Sequence, residues 1–234
     1  MSSILRIALV WLGIVAGAAT PRAEAATAAD GDVAALPAAL IETLSRAGLT
    51  GRGEPVAAFT WTLETRRPAR GPRQIRERYA GTPTGAPLGL SPVVHETLSP
   101  KPRPPRAGVS VRGLTIVRPD DDGIDVRVDG LSLPLEQGAR FRLEFDQEGS
   151  TLSQTCIVAA SRPAAGVHPA LPGDARAIEC SGRGSYHGVP VQVVATMLYF
   201  VRLGVFLEVE QRIDSPLGRL RGSARVLSFE MAKR

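Results

Sequence analysis

The stretch Val189-Pro-Val-Gln-Val-Val-Ala-Thr-Met-Leu-Tyr-Phe-Val201 decides how the chain is read. With a period of two, one side carries Val189, Val191, Val193, Ala195, Met197, Tyr199 and Val201. The other carries Gln192, Val194, Thr196, Leu198 and Phe200. Branched and aromatic residues at that density make a strand. Over its second half the run is apolar on both sides, so both faces need cover. From sequence two kinds of cover are open. A second layer of sheet gives an ordinary sandwich core, and a bound apolar ligand gives a groove. Val194, Leu198 and Phe200 are the candidate ligand face.

Downstream of this run, Val205–Ile213 and Arg219–Phe229 flank the turn Asp214-Ser-Pro-Leu-Gly218 and read as a hairpin. Glu208, Glu210 and Arg212 are expected on one face, opposite Arg219, Arg221 and Arg225. That pattern makes a wet, cross-strand paired outer surface and not a site. Upstream, strand-like segments around Cys156 and over Ala175–Cys180 flank the loop Arg162–Gly173. If they pair antiparallel, the two cysteines face each other and form one disulfide; two free buried thiols are the alternative. Without C-x-x-C spacing, a redox-active pair is not indicated.

Further upstream, Phe141, Leu143 and Phe145 alternate with Arg142, Glu144 and Asp146, a strand with one wet face. Val109–Val117 reads as one strand, and Asp120-Asp-Asp-Gly123 turns the chain into Ile124–Val128. Phe59, Trp61 and Leu63, then Ile75 and Tyr79, read as a hairpin. Ser99-Pro-Lys-Pro-Arg-Pro-Pro-Arg106 reads as an extended connector between subdomains or between sheets. Only Leu36–Ala47 has a helical stripe, through Leu36, Leu40, Thr43, Leu44 and Ala47. Pro37 suits its first turn and Gly48 its stop. About nine or ten strands with one helix predict a mainly β fold, an antiparallel sandwich or a strongly curved partial barrel with one N-terminal amphipathic helix.

The first 25 residues read as a secretory leader. Arg6 precedes an apolar run from Ile7 to Ala19, and Ala23-Glu-Ala25 is a small-x-small cleavage site. Residues 26–35 are expected to be a mobile arm, and 36–234 one β-rich domain. No second long apolar run predicts a transmembrane helix after processing. An outer-membrane barrel is disfavoured by the 5% aromatic content and by the proline-rich connector. The expected compartment is the periplasm, where a disulfide persists.

The formal net charge is +5, carried almost wholly by arginine. Arg66, Arg67, Arg70, Arg73, Arg76 and Arg78 cluster about one turn. The functional reading is a docking patch for an anionic membrane surface, and the bland reading is a solvated hairpin end. Export and the absence of interleaved aromatics argue against nucleic acid.

No G-x-S-x-G elbow, H-E-x-x-H helix or phosphate loop occurs. Gly182-Arg-Gly184-Ser-Tyr-His-Gly188 lies between strands, so it is a turn and not a phosphate cradle. His95, His168 and His187 are scattered, so no metal site and no cofactor is predicted. Asp120, Asp121, Asp122 and Asp125 fail the calcium-loop spacing. Ser185 and His187, two apart on one strand face, are the only conceivable nucleophile–base pair, and no orienting acid accompanies them.

The order Met197-Leu-Tyr-Phe200, Leu203-Gly-Val-Phe206, a charged strand, a turn and Val226-Leu-Ser-Phe229 resembles β-rich periplasmic proteins of unknown function, over the last third of the chain. The overall layout resembles that of periplasmic lipoprotein carriers. Those resemblances transfer no catalytic residue. Export, the predicted sheet and the doubly apolar strand make a lipid or lipoprotein the expected ligand. The expectation is a non-enzymatic periplasmic protein that binds an apolar or amphipathic envelope component. The alternatives are an assembly module that uses exposed strand edges, or a small serine hydrolase.

Overall fold

The computed structural model describes residues 31–51, 53–66, 71–119, 126–147 and 149–232. The leader, most of the expected arm, Arg67, Arg70 and the Asp120–Gly123 turn lie outside the described residues. Twelve strands form one antiparallel sheet: β1 (Ala58–Arg66), β2 (Arg73–Ala80), β3 (Leu90–Ser99), β4 (Arg106–Val111), β5 (Thr115–Val117), β6 (Val126–Asp129), β7 (Arg140–Gln147), β8 (Ser150–Pro163), β9 (Asp174–Tyr186), β10 (Val189–Phe200), β11 (Val205–Ser215) and β12 (Gly218–Met231). The spatial order is β5-β4-β3-β2-β1-β12-β11-β10-β9-β8-β7-β6. Consecutive strands therefore pair throughout except β5 and β6, and β12 returns to pair with β1. The result is a nearly closed, barrel-like sheet whose two edges are β5 and β6.

The helix α1 (Ala38–Arg46) follows a short 3-10 turn, Val33–Ala35, whose Asp32 side chain accepts from Ala34 N–H. The leucines Leu36, Leu40 and Leu44 share a core cluster with Val109, Val111 and Val117 on one side of the open seam. They also share it with Val126, Val128 and Phe141 on the other. Ala47 at the helix end accepts the Val128 N–H of edge strand β6 at 2.9 Å, which protects that edge. Gly48, at φ 73, ends the helix where any Cβ would meet Val128 O at 2.5 Å. Of the expected arm, the described end holds Val33 buried in this core.

A second cluster joins Phe59, Trp61, Leu63, Ile75 and Tyr79 of β1 and β2 to Leu198, Phe200, Val205 and Leu207. The strand that decided the fold is thus buried on both faces from Met197 to Phe200.

Three readings of the sequence are corrected. Val109–Val117 is two strands, because Arg112 (φ 51) and Gly113 (φ 76) turn the chain through left-handed conformations. Strand β3 went unread because Pro92, His95 and Glu96 interrupt its alternation. The proline-rich connector does not separate subdomains or sheets. It closes the hairpin between adjacent β3 and β4, where Arg103 N–H reaches Thr97 O at 3.0 Å. The Phe59–Leu63 and Ile75–Tyr79 hairpin, the terminal hairpin and, among the described residues, the single α-helix stand as read.

Candidate functional site

Pairing across β7 to β11 sets which side chains share the inner face. Leu143 lies opposite Gln154, Gln154 opposite Gly182, Gly182 opposite Val193 and Val193 opposite Ile213. One step along, Cys156 faces Cys180, Cys180 faces Ala195 and Ala195 faces Gln211. Two buried glutamines therefore stand in an otherwise apolar wall, Gln154 at 2% exposure and Gln211 at 5%. Gly182 and Gly184 let β9 come unusually close to β8, since a Cβ at either would fall on the carbonyl oxygens of Ser153 and Thr151.

Between this wall and its hairpin ends lies a narrow, partly open cleft. Phe145, Leu152, Val191, Val193 and Ile213 form its apolar sides; Ser150, Ser185 and Gln211 supply polar groups. Gln211 Nε2 donates to Glu208 Oε2 at 3.3 Å. Its Oε1 is buried with no hydrogen-bond partner, and so is Gln154 Nε2. A buried amide atom without a partner costs about 1–3 kcal/mol.

A bulge in β11 explains why Glu208 belongs to this wall. Thr196 pairs with Glu210 but Met197 pairs with Glu208, so Val209 is an extra residue. Glu208 then shares the inner face with Gln211, whereas Glu210 and Arg212 face out. The expectation of one charged face through Glu208, Glu210 and Arg212 is corrected on this ground. Burial pushes the Glu208 carboxyl up to about 8.

No family model matches the chain, and no curated protein matches it. A solved structure from Bacteroides fragilis, of a protein described as exported and of YmcC-like fold, superposes with a TM-score of 0.40 and 10% identity. It covers 77% of this chain and 99% of the other. No conclusion about fold or function rests on a likeness of that size.

The residues singled out from sequence are dispersed. Val194 is 42% exposed on the outside, while Leu198 and Phe200 are fully buried. The Phe200 ring meets Trp61 edge-on at 6.1 Å, so the sheet itself covers these two, and the three make no common open face. Cys156 and Cys180 are joined as a disulfide across β8 and β9. Arg66 pairs with Glu64 at 3.4 Å and Arg76 with Glu96 at 3.6 Å; Arg73 is half-buried and Arg78 exposed. His187 is not on a strand face with Ser185. It sits in the turn at φ 45 with its ring against Tyr186, while Ser185 Oγ lies 3.4 Å from Thr151 Oγ1. Among the described residues no three His, Cys, Asp or Glu side chains converge as metal ligands. No helix among them is long and apolar enough to cross a membrane.

A second polar cluster sits in the other half of the sheet. Glu77 accepts from Trp61 Nε1 at 2.9 Å and Tyr79 OH at 3.2 Å on one oxygen. Its other oxygen lies 3.2 Å from His95 Nδ1. Sequence reading found neither cluster. Gln154 carried a weak signal, a polar residue between Leu152 and Cys156 on the apolar side of a strand.

Proposed function

We propose that the protein is an exported, non-enzymatic binding protein whose cleft between β7 and β11 takes an apolar or amphipathic component of the cell envelope. The observation that carries this reading is the apolar cleft itself, with the buried Gln211 among the residues that line it. Clefts with apolar walls and few polar groups are the usual shape of small-ligand sites. The leader, its cleavage after Ala25 and the periplasmic address belong to the same proposal, and the disulfide supports an oxidising compartment.

The test is binding of the neutral fluorophore Nile red, with native mass spectrometry of protein purified without detergent. Val193→Trp puts an indole into the cleft and is expected to abolish binding. Val194→Trp, on the outer face of the same strand, is expected to leave it intact. Equal binding by wild type and Val193→Trp would refute the cleft as the site.

A further inference from the structure

The bulge that turns Glu208 inward also removes a carboxylate from the outer face of the β11–β12 hairpin. Arg212, Arg219 and Arg221 remain exposed there. In the two outward rows nearest the turn, across β9 to β12, Asp214 is the one acid, and it pairs with both Arg212 and Arg219. Glu179 and Glu210 lie one outward row further from the turn. Arg221 stands directly opposite Arg212 and has no carboxylate partner among the described residues. Like charges placed directly across two strands destabilise their pairing, so the fold keeps this arrangement at a cost. On the other flank, Gln192 lies between Asp214 and the exposed Arg183 of β9, which extends the basic belt across four strands. Arg66 and Arg76, singled out from sequence, each have a carboxylate of their own.

The turn itself is apolar. Pro216 and Leu217 are exposed, and Leu217, at 59%, is the most exposed large apolar side chain among the described residues. Ser215 Oγ accepts from Leu217 N–H at 3.2 Å and donates to Gly218 O at 3.1 Å, so the turn is held closed with its leucine in solvent. Val194, also exposed, lies beside Arg212 on the same face. We infer that this hairpin docks the protein on an anionic lipid bilayer: Leu217 enters between the headgroups, and Arg183, Arg212, Arg219 and Arg221 take lipid phosphates. A guanidinium fork matches phosphate oxygens, and its alkyl stem tolerates the apolar boundary below them. A free polyanion would engage the arginines and leave Leu217 in water, so a bilayer is the partner that uses both features. The docking surface is distinct from the cleft, although both lie at the end of the sheet where β9 turns into β10 and β11 into β12.

Flotation of the purified protein with phosphatidylcholine vesicles, prepared with and without phosphatidylglycerol, tests this. Binding is expected on the anionic vesicles alone and is expected to weaken as salt is added. Arg212→Gln with Arg221→Gln is expected to lower the partition coefficient about 25-fold, at about fivefold per arginine. Arg162→Gln with Arg202→Gln removes the same charge from exposed positions at the opposite end of the sheet and is expected to leave binding close to wild type. Leu217→Gln is expected to cost about tenfold, and Leu217→Trp to shift its emission to the blue with anionic vesicles only. All substituted residues are exposed, and thermal midpoints equal to wild type show that the variants are folded. No binding to either vesicle, equal binding to both, equal losses from the two double variants, or full binding by Leu217→Gln would overturn docking by this hairpin.

Discussion

Replacing Glu77 by Gln tests the second polar cluster, and its consequence follows from the geometry. Glu77 is 8% exposed and its carboxylate takes Trp61 Nε1, Tyr79 OH and the His95 ring. Burial by itself would raise its pKa. The hydrogen bond and charge of His95, with the bonds from Trp61 and Tyr79, outweigh burial and hold it below the ordinary glutamate value. Glutamine keeps the shape but turns one acceptor oxygen into a donor, which must then face a donor or lose its partner. Breaking a buried charge network in this way costs about 3–5 kcal/mol. At roughly 2–4 °C per kcal/mol for a domain of this size, the melting temperature falls by about 6–20 °C. The folded pKa lies below the unfolded one, so the carboxylate's contribution is complete above the unfolded value of 4.5. It disappears as pH falls through the folded pKa. Urea unfolding of wild type and Glu77→Gln at pH 7, and at steps down through pH 4, measures both effects. The gap between the proteins must narrow as pH falls. A gap under about 0.5 kcal/mol at pH 7, the usual scale of a surface substitution, or one that widens with acid, refutes the reasoning.

Other expectations concern single positions. Cys156→Ala with Cys180→Ala opens a loop of 24 residues' separation and should lower stability by about 3 kcal/mol in the chain-entropy model, read as a shift in urea midpoint. Arg112 is 1% exposed and donates to Glu54 O at 3.1 Å; Arg112→Met strips the buried cap of the β4–β5 turn and should lower the midpoint clearly, whereas Arg183→Met on the exposed face should not. Glu208 has a folded pKa of about 8, raised by burial, so wild-type stability should decline as pH rises from about 5 to about 8. Glu208→Gln should flatten that decline, and an unchanged pH profile would count against a buried carboxyl there.

The elements whose period was clean could be read from sequence. The alternation in Phe59–Leu63, Phe141–Phe145 and Val189–Phe200 gave strands in the right places, and the leucine stripe with Gly48 gave α1. The placement of both cysteines about one loop gave the disulfide. What failed has a common physical cause, which is that the sheet closes on itself. Whether Leu198 and Phe200 meet a ligand or Trp61 depends on β1 and β10 coming together across β12 and β11, a relation no local pattern encodes. The cleft was invisible for a related reason. Gln154 and Gln211 lie 57 positions apart in the chain and share a face only through the registers of four strands. Glu208 was misassigned because strict alternation puts it beside Glu210, and the bulge removes that alternation.

That bulge makes a sharp claim about deletions. Val209 has no partner on β10, while Glu208 and Glu210 pair with the consecutive residues Met197 and Thr196. Deleting Val209 joins Glu208 to Glu210 and leaves every other residue of β11 on its present face, so Phe206 stays in the helix-side core and Leu207 in the aromatic one. Deleting Leu207 draws on the same spare residue: Phe206 stays opposite Tyr199 and Glu210 opposite Thr196, but Glu208 turns outward and Val209 inward. The Val209 deletion is therefore expected to fold, with a modest loss from the removed half-buried valine and the relaxed twist. The Leu207 deletion is expected to fold with a larger loss, from the removed buried leucine, and to abolish the pH dependence assigned to Glu208. The Val209 deletion also relieves the local bend that brings Glu208 toward Gln211, so its Nile red affinity reports whether the bulge shapes the cleft. If both deletions unfold alike, the pairing described for β10 and β11 is wrong, and the assignment of Glu208 to the inner wall is lost with it.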